Sequence, residues 1–348
     1  MAFRSCLLFP AFLLVLIAFP SQVRAEISEE VLEKIKFINE RGDYYALVVP
    51  GETVLEAALQ TFESSMPSID IYGRRFHIGH IEGVRVILVM LGDGMLNAAQ
   101  TTQMLLDKFK VIAVIHYGKA GSPKPHEVNL GDIVIPRDFA HCGAWYWEKF
   151  GGDANESVNR DIAKLRFADY NVQHKEIENS LENVYVQPGT SYSKPEEGKQ
   201  TFLMSVDSTL YAVARKMSKK VELKQCVGKS LICLSKKPSV KLGVGIGCSA
   251  DIFVNNKAFR DFLGRELDAA TIDSESAAVA WVCLSDSKPF IAMRSIVDYA
   301  GGDLPGENDA KAILSLWAPD AIQALRAYFN ELGKNGSNLR SVTGSKIW

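Results

Sequence analysis

The sequence has almost no net charge. Its 39 lysines and arginines are set against 41 aspartates and glutamates, a formal charge of −2. That removes the electrostatic basis for gripping nucleic acid or an anionic membrane surface. Beyond residue 25 there is no apolar run of the roughly 20 residues a bilayer span needs, so no membrane partner is expected after that point. Metal-ligand spacing is missing as well. His77, His80, His126, His141 and His174 form no ligand pattern, and His77 and His80 sit three apart in a strand-like segment, where side chains point to opposite faces. No metal is expected. There is also no repeat, heptad pattern or linker, which leaves one large domain as the simplest organisation.

Six cysteines are present, and one of them, Cys6, lies in a leader-like segment. The remaining odd set (Cys142, Cys226, Cys233, Cys248, Cys283) excludes complete internal pairing. Cys226 and Cys233 flank a short loop, so one bridge there suits an oxidising compartment. Cys283 falls in an apolar helical segment and reads as a buried free thiol.

What is present begins at the N-terminus. Arg4 supplies a positive start, residues 6–19 are almost continuously apolar, and Val23-Arg24-Ala25 places small residues at the −3 and −1 positions of a cleavage site before Glu26. Residues 1–25 are therefore expected to be a removable signal peptide, residues 26–333 the folded domain, and residues 334–348 a polar, loose tail. The implied destination is the secretory pathway, extracellular or vacuolar. Asn155-Glu156-Ser157 and Asn335-Gly336-Ser337 are glycosylation sequons in polar stretches.

The 47% apolar content is ample for a core. Apolar runs predict strands at 45–49, 76–81, 84–91, 111–117, 132–136, 184–187, 240–245, 269–273 and 289–297, with Glu82-Gly83 as a hairpin turn. Helical spacing predicts helices at 53–66, 97–109, 207–219, 256–266, 276–285 and 308–332. Residues 151–159 and 187–199 read as polar loops. This alternation predicts an α/β sheet covered on both faces.

Ligands of such sheets sit at the carboxyl ends of the strands. Five predicted strand ends carry glycines, carboxylates or both: Pro50-Gly51-Glu52, Gly92-Asp93-Gly94, Gly118-Lys119-Ala120-Gly121, Asp273-Ser274-Glu275-Ser276 and Asp298-Tyr299-Ala300-Gly301. Glycine there lets a ligand approach the backbone, and adjacent amides can hold an anion. A carboxylate in such a cleft can have a raised pKa and act as an acid. Taken singly, each glycine reads as a turn and each carboxylate as a helix cap. Only the joint pattern reads as a site.

Five spaced motifs in order then carry a resemblance: Gly118-Lys119-Ala120-Gly121-Ser122, Gly131-Asp132-Ile133-Val134-Ile135, Ser249-Ala250-Asp251-Ile252-Phe253-Val254, Ile272-Asp273-Ser274-Glu275-Ser276, and Ser295-Ile296-Val297-Asp298-Tyr299-Ala300-Gly301-Gly302. Over most of residues 42–330 the chain resembles the nucleoside phosphorylase/nucleosidase superfamily. More narrowly, it resembles the plant branch containing bark and vegetative storage proteins. The resemblance implies a three-layer αβα sandwich around a mixed, twisted central sheet. It implies cleavage of the N-glycosidic bond of a purine-type nucleoside or an N6-modified relative such as a cytokinin riboside. It also implies a homo-oligomer, with no cofactor beyond inorganic phosphate as co-substrate.

By the same resemblance, Glu275 holds the ribose 2′- and 3′-hydroxyls and Asp298 protonates a purine ring nitrogen. Phe253 stacks on the base, and Ser274 takes a place beside the ribose where many relatives have Met. Gly92, Gly94 and Gly118 line the ribose and nucleophile pocket. Gly51, Lys119 and Arg74 are the phosphate-binding candidates, Arg74 across a subunit interface. The chain departs from the family at Lys119, commonly Ser or Thr, and at Val297, commonly Ser. Lys119 is open to three readings: a cation for phosphate, a crowding side chain, or one turned to solvent. Glu52 and Glu56 are candidates for a water-activating carboxylate, or simply helix-start and helix-surface residues. Phosphorolysis is the expected chemistry, with hydrolysis of the methylthioadenosine nucleosidase type, or a nitrogen-reserve role with weak or no activity, as alternatives.

Overall fold

The computed structural model describes residues 27–149, 158–166, 183–228, 232–301 and 306–343. The expected leader and the Asn155 sequon lie outside them. The fold is organised about β1 (Tyr44–Val49), every residue of which is buried. Because strand side chains alternate, Tyr44, Ala46 and Val48 enter one core and Tyr45, Leu47 and Val49 the other. The first core is closed by α1 (Glu29–Glu40), α3 (Met95–Lys108) and α6 (Ser276–Ser285). The second is closed by α2 (Glu52–Leu59), α4 (Ser208–Ser218) and α7 (Glu307–Thr343). This is the expected three-layer αβα arrangement.

The sheet has twelve strands. Its main path runs β8 (Leu203–Ser205), β7 (Asp138–His141), β10 (Ile246–Ser249), β11 (Ala269–Asp273), β5 (Val111–Gly121), β1, β4 (Val84–Met90), β3 (Arg74–Ile81) and β2 (Glu63–Ile71). The strand β12 (Phe290–Asp298) also lies parallel to β5, and β6 (Ile133–Ile135) and β9 (Val240–Leu242) extend from it. The inner strands β1, β4, β5 and β12 are mutually parallel, so their carboxyl ends converge on one edge. The remaining helix, α5 (Lys257–Glu266), packs near β11.

Three local expectations are corrected. The helix predicted at 53–66 ends at Leu59, and Glu63–Ile71 is an edge strand instead. Pro67 misled the reading. It lacks an N–H, which an edge strand tolerates, and the pairing with β3 slips on either side of Met66. The loop expected at 187–199 contains a hairpin of Gly189–Tyr192 with Gly198–Thr201. The last helix continues to Thr343 rather than ending at 332. The Glu82-Gly83 turn formed as expected, both residues having positive φ (49° and 74°), as the tight hairpin turn requires.

Cys226 and Cys233 are bridged as expected, and Cys283 is a buried free thiol. A second bridge joins Cys142 to Cys248, 106 positions apart. It was hidden in the sequence because only the pairing of β7 with β10 makes these residues neighbours.

Candidate functional site

A cleft of about 450 Å³ opens at the carboxyl edge of the sheet. Pro50 contributes from the end of β1, Asp93 from the end of β4, and Lys119 and Gly121 from the end of β5. Ser274 and Glu275 follow β11, Val297, Asp298 and Ala300 come from the end of β12, and Ile252, Phe253 and Val254 follow β10. The five strand ends singled out in the sequence thus meet in one place.

Glu275 is 6% exposed at the start of α6. Its Oε1 accepts the Gly94 amide at 3.2 Å, at the start of α3. Burial first, and the neighbouring Asp273 second, push its carboxyl above the ordinary glutamate range, while Arg294 and the Gly94 amide pull the other way. The loop of Glu275 is fixed by Asp273, whose Oδ1 accepts the amides of Glu275 and Ser276 at 2.9 and 2.8 Å. Behind it lies Arg294, 0% exposed, with Nε 3.1 Å from Asp273 Oδ2 and 2.8 Å from Ser276 Oγ. Arg294 Nη2 stands 3.0 Å from the His116 ring, and burial together with this guanidinium pushes His116 well below the ordinary histidine range. Removing one partner of such a buried ion pair typically costs about 3–5 kcal/mol.

Asp298 lines the cleft, its Oδ1 accepting the Ala300 amide at 2.6 Å. The absent side chain of Gly121 makes that position possible, since a β-carbon there would lie 2.5 Å from Asp298 Oδ1. Phe253 stands at the lip, 90% exposed. With Ile252, Val254, Val297 and Ala300 it gives this part of the cleft an apolar lining.

The glycines have separate duties. Gly92 and Gly94 adopt φ of 92° and 86°, turning the chain sharply on either side of Asp93. Gly51 caps α2 without a side-chain hydrogen bond and lies beside Asp93, whose Oδ1 is 3.4 Å from where a β-carbon on Gly51 would be. Gly118 does not line the cleft. It is buried beneath it and makes space for Arg294.

The phosphate candidates do not converge within this chain. Lys119 lines the cleft, but its ammonium bonds Thr53 Oγ1 at 3.1 Å and lies 5.0 Å from the centre of the Trp317 ring. Arg74 bonds Thr101 Oγ1 and Asn97 Oδ1, both at 2.7 Å, and lies outside the cleft lining. Glu52 and Glu56 are exposed on α2 and likewise outside it. The sequence reading missed the supporting set of Arg294, His116 and Asp273 as a unit. The available signal was an arginine and a histidine inside otherwise apolar strand runs, since a buried charge needs a partner. Among the described residues, no group of three or more His, Cys, Asp or Glu could hold a metal ion, and no helix is long and apolar enough to cross a membrane.

Comparison with known proteins places the chain in a family and agrees with its fold. The family model for the phosphorylase superfamily matches residues 44–330. Bark storage protein A of Populus deltoides is 34% identical over 246 residues, which cover 71% of this chain and 75% of that protein. A 5'-methylthioadenosine/S-adenosylhomocysteine nucleosidase of Bacillus velezensis is 26% identical over 250 residues, covering 72% and 81% respectively. Among solved structures, futalosine hydrolase of Helicobacter pylori aligns with a TM-score of 0.57 at 18% identity, over 84% of this chain and 100% of that one. At that identity the likeness is one of fold.

Proposed function

The chain belongs to the phosphorylase superfamily, in the branch that holds the bark storage proteins, and on that premise we propose that it cleaves the N-glycosidic bond of a purine-type nucleoside in the cleft between Glu275 and Asp298. The observation that carries the reading is Glu275 itself: a buried carboxylate, held by a helix-start amide and backed by a fully buried arginine, facing an open cleft. Burial nonetheless pushes its carboxyl above the ordinary glutamate range, and such groups concentrate at functional sites.

In this reading the Glu275 carboxylate accepts the ribose 2′- and 3′-hydroxyl protons. As the bond to the base breaks, positive charge develops on the sugar, and the same carboxylate stabilises it. Asp298 gives a proton to a ring nitrogen of the base, which leaves as a neutral species. Phe253 and the apolar residues beside it supply a face for the base to stack on. The exposure of Phe253 leaves that side open, which suits a substituted base such as that of a cytokinin riboside.

Water is the nucleophile this cleft favours, in place of the phosphate expected from the sequence. Asp93, Glu275 and Asp298 line it, Asp273 being paired with the buried Arg294, and the one cation among the described lining residues, Lys119, is engaged by Thr53 and Trp317. A phosphate dianion would enter against that field. The expected leader would deliver the activity to the vacuole or the extracellular space.

A nitrogen-reserve role is the second reading, favoured by the likeness to bark storage protein A. One experiment separates them. The mature protein is incubated with inosine, adenosine and an N6-substituted adenosine, with and without phosphate, and free base is measured. Release in both buffers supports hydrolysis, and release only with phosphate supports phosphorolysis. No release by a folded protein supports the reserve role.

A further inference from the structure

Resting on the reading above, we propose that Asp93 is the general base that activates the attacking water, a duty no other described carboxylate in the cleft is free to perform. Hydrolysis of an N-glycosidic bond needs a group to accept a proton from water as it attacks. The first loop offers none: Glu52 and Glu56 are exposed on α2 and do not line the cleft, and only Pro50 of that loop does.

The other carboxylates are committed. Asp273 is bound to Arg294, Ser249 and the start of α6. Glu275 takes the Gly94 amide and the proposed ribose hydroxyls. Asp298 takes the Ala300 amide and serves the base. The Asp93 carboxylate, by contrast, accepts no hydrogen bond from any described residue, although its backbone carbonyl is held by Asn97 at 2.8 Å.

Its position is built rather than incidental. Asp93 sits at the tip of a turn whose two flanking glycines adopt conformations that other residues rarely take. The turn brings the carboxylate beside Gly51 at the start of α2, its Oδ1 3.4 Å from where a β-carbon on Gly51 would lie. The fixed backbone is anchored on one side by Asn97 and on the other by the Gly94 amide bonded to Glu275. Asp93 therefore enters the cleft beside the ribose carboxylate, at the Pro50 end, whereas Asp298 is held at the Gly121–Ala300 end.

The step balances. A water oxygen bonds to C1′ as the C1′–N bond breaks, and the electron pair of that bond goes to the base. One proton passes from Asp298 to the base and one from water to Asp93. Solvent then reprotonates Asp298 and deprotonates Asp93, so nucleoside and water become free base and free ribose. The carboxylate also explains the choice of nucleophile, because it places negative charge at the N-terminus of α2, where an anion would otherwise dock.

The test compares wild type, Asp93→Asn and Asp93→Ala in phosphate-free buffer, measuring kcat and KM for base release. The expected result is a loss of about 100-fold or more in kcat for Asp93→Asn with KM within about twofold, and partial recovery of Asp93→Ala by added formate. An Asp93→Asn protein with wild-type kcat overturns this inference and leaves N-glycosidic cleavage standing. A wild type that releases base only with phosphate does the same. A wild type that releases no base from any nucleoside overturns the cleavage reading and this inference with it.

Discussion

Gly118 and Arg294 form a single feature: a β-carbon on Gly118 would lie 1.9 Å from Arg294 Nη1, so a glycine in β5 admits the largest fully buried side chain, Arg294 in β12. Gly118→Ala is therefore expected to push Arg294 off Asp273 and Ser276, and with it the loop of Glu275. Overpacking of this kind costs about 1–3 kcal/mol. A lowered melting temperature together with reduced base release checks it, and a Gly118→Ala protein as stable and active as wild type would refute the coupling.

Glu275→Gln separates stability from activity. Burial raises the carboxyl of Glu275, so ionising it opposes folding. The stability associated with this group is present in full below the ordinary glutamate range of about 4.3 and lost as pH rises through the raised value. The glutamine variant should thus melt higher than wild type near neutral pH, with the difference vanishing in acid. Its base release should fall by about 100-fold or more. Melting curves across pH and a steady-state assay read the two effects separately.

The two disulfides should contribute unequally. On the loop-closure model, a 106-residue separation is worth about 4.8 kcal/mol and a 7-residue one about 2.3. Denaturant unfolding of Cys142→Ser/Cys248→Ser should show roughly twice the loss of Cys226→Ser/Cys233→Ser.

Away from the cleft, burial pushes Asp320 on α7 up to about 6, against the hydrogen bond from the Lys224 amide. Its stabilising contribution is full below the ordinary aspartate range and is lost as pH rises through about 6. Asp320→Asn should flatten the decline in melting temperature between roughly pH 4 and 7, a change on the order of a few degrees. Thermal melts of the pair across that range test it.

The architecture was largely legible because β1, β4, β5 and β12 are predominantly apolar and end abruptly in or just before glycine or carboxylate. Those two signals, burial and its sudden stop, mark the strands and the ligand edge together. What could not be read depends on which distant residues become neighbours. Arg294 and His116 look like isolated polar residues until β12 pairs with β5, which brings them within 3.0 Å. Cys142 meets Cys248 only through the β7–β10 pairing. Residues 63–66 continued a helical pattern, and only the hairpin with β3 claimed them for the sheet. Lys119 looked available for phosphate because its spacing says nothing of Thr53 or Trp317, which hold it.

The central claim is that Asp298 and Glu275 act together on a nucleoside, and the most direct measurement is the rate of free-base release by wild type and Asp298→Asn under identical phosphate-free conditions. Clear release by wild type, with a loss of about 100-fold or more in a variant whose melting temperature is preserved, is the result this account predicts. An Asp298→Asn protein that releases base at the wild-type rate would contradict it.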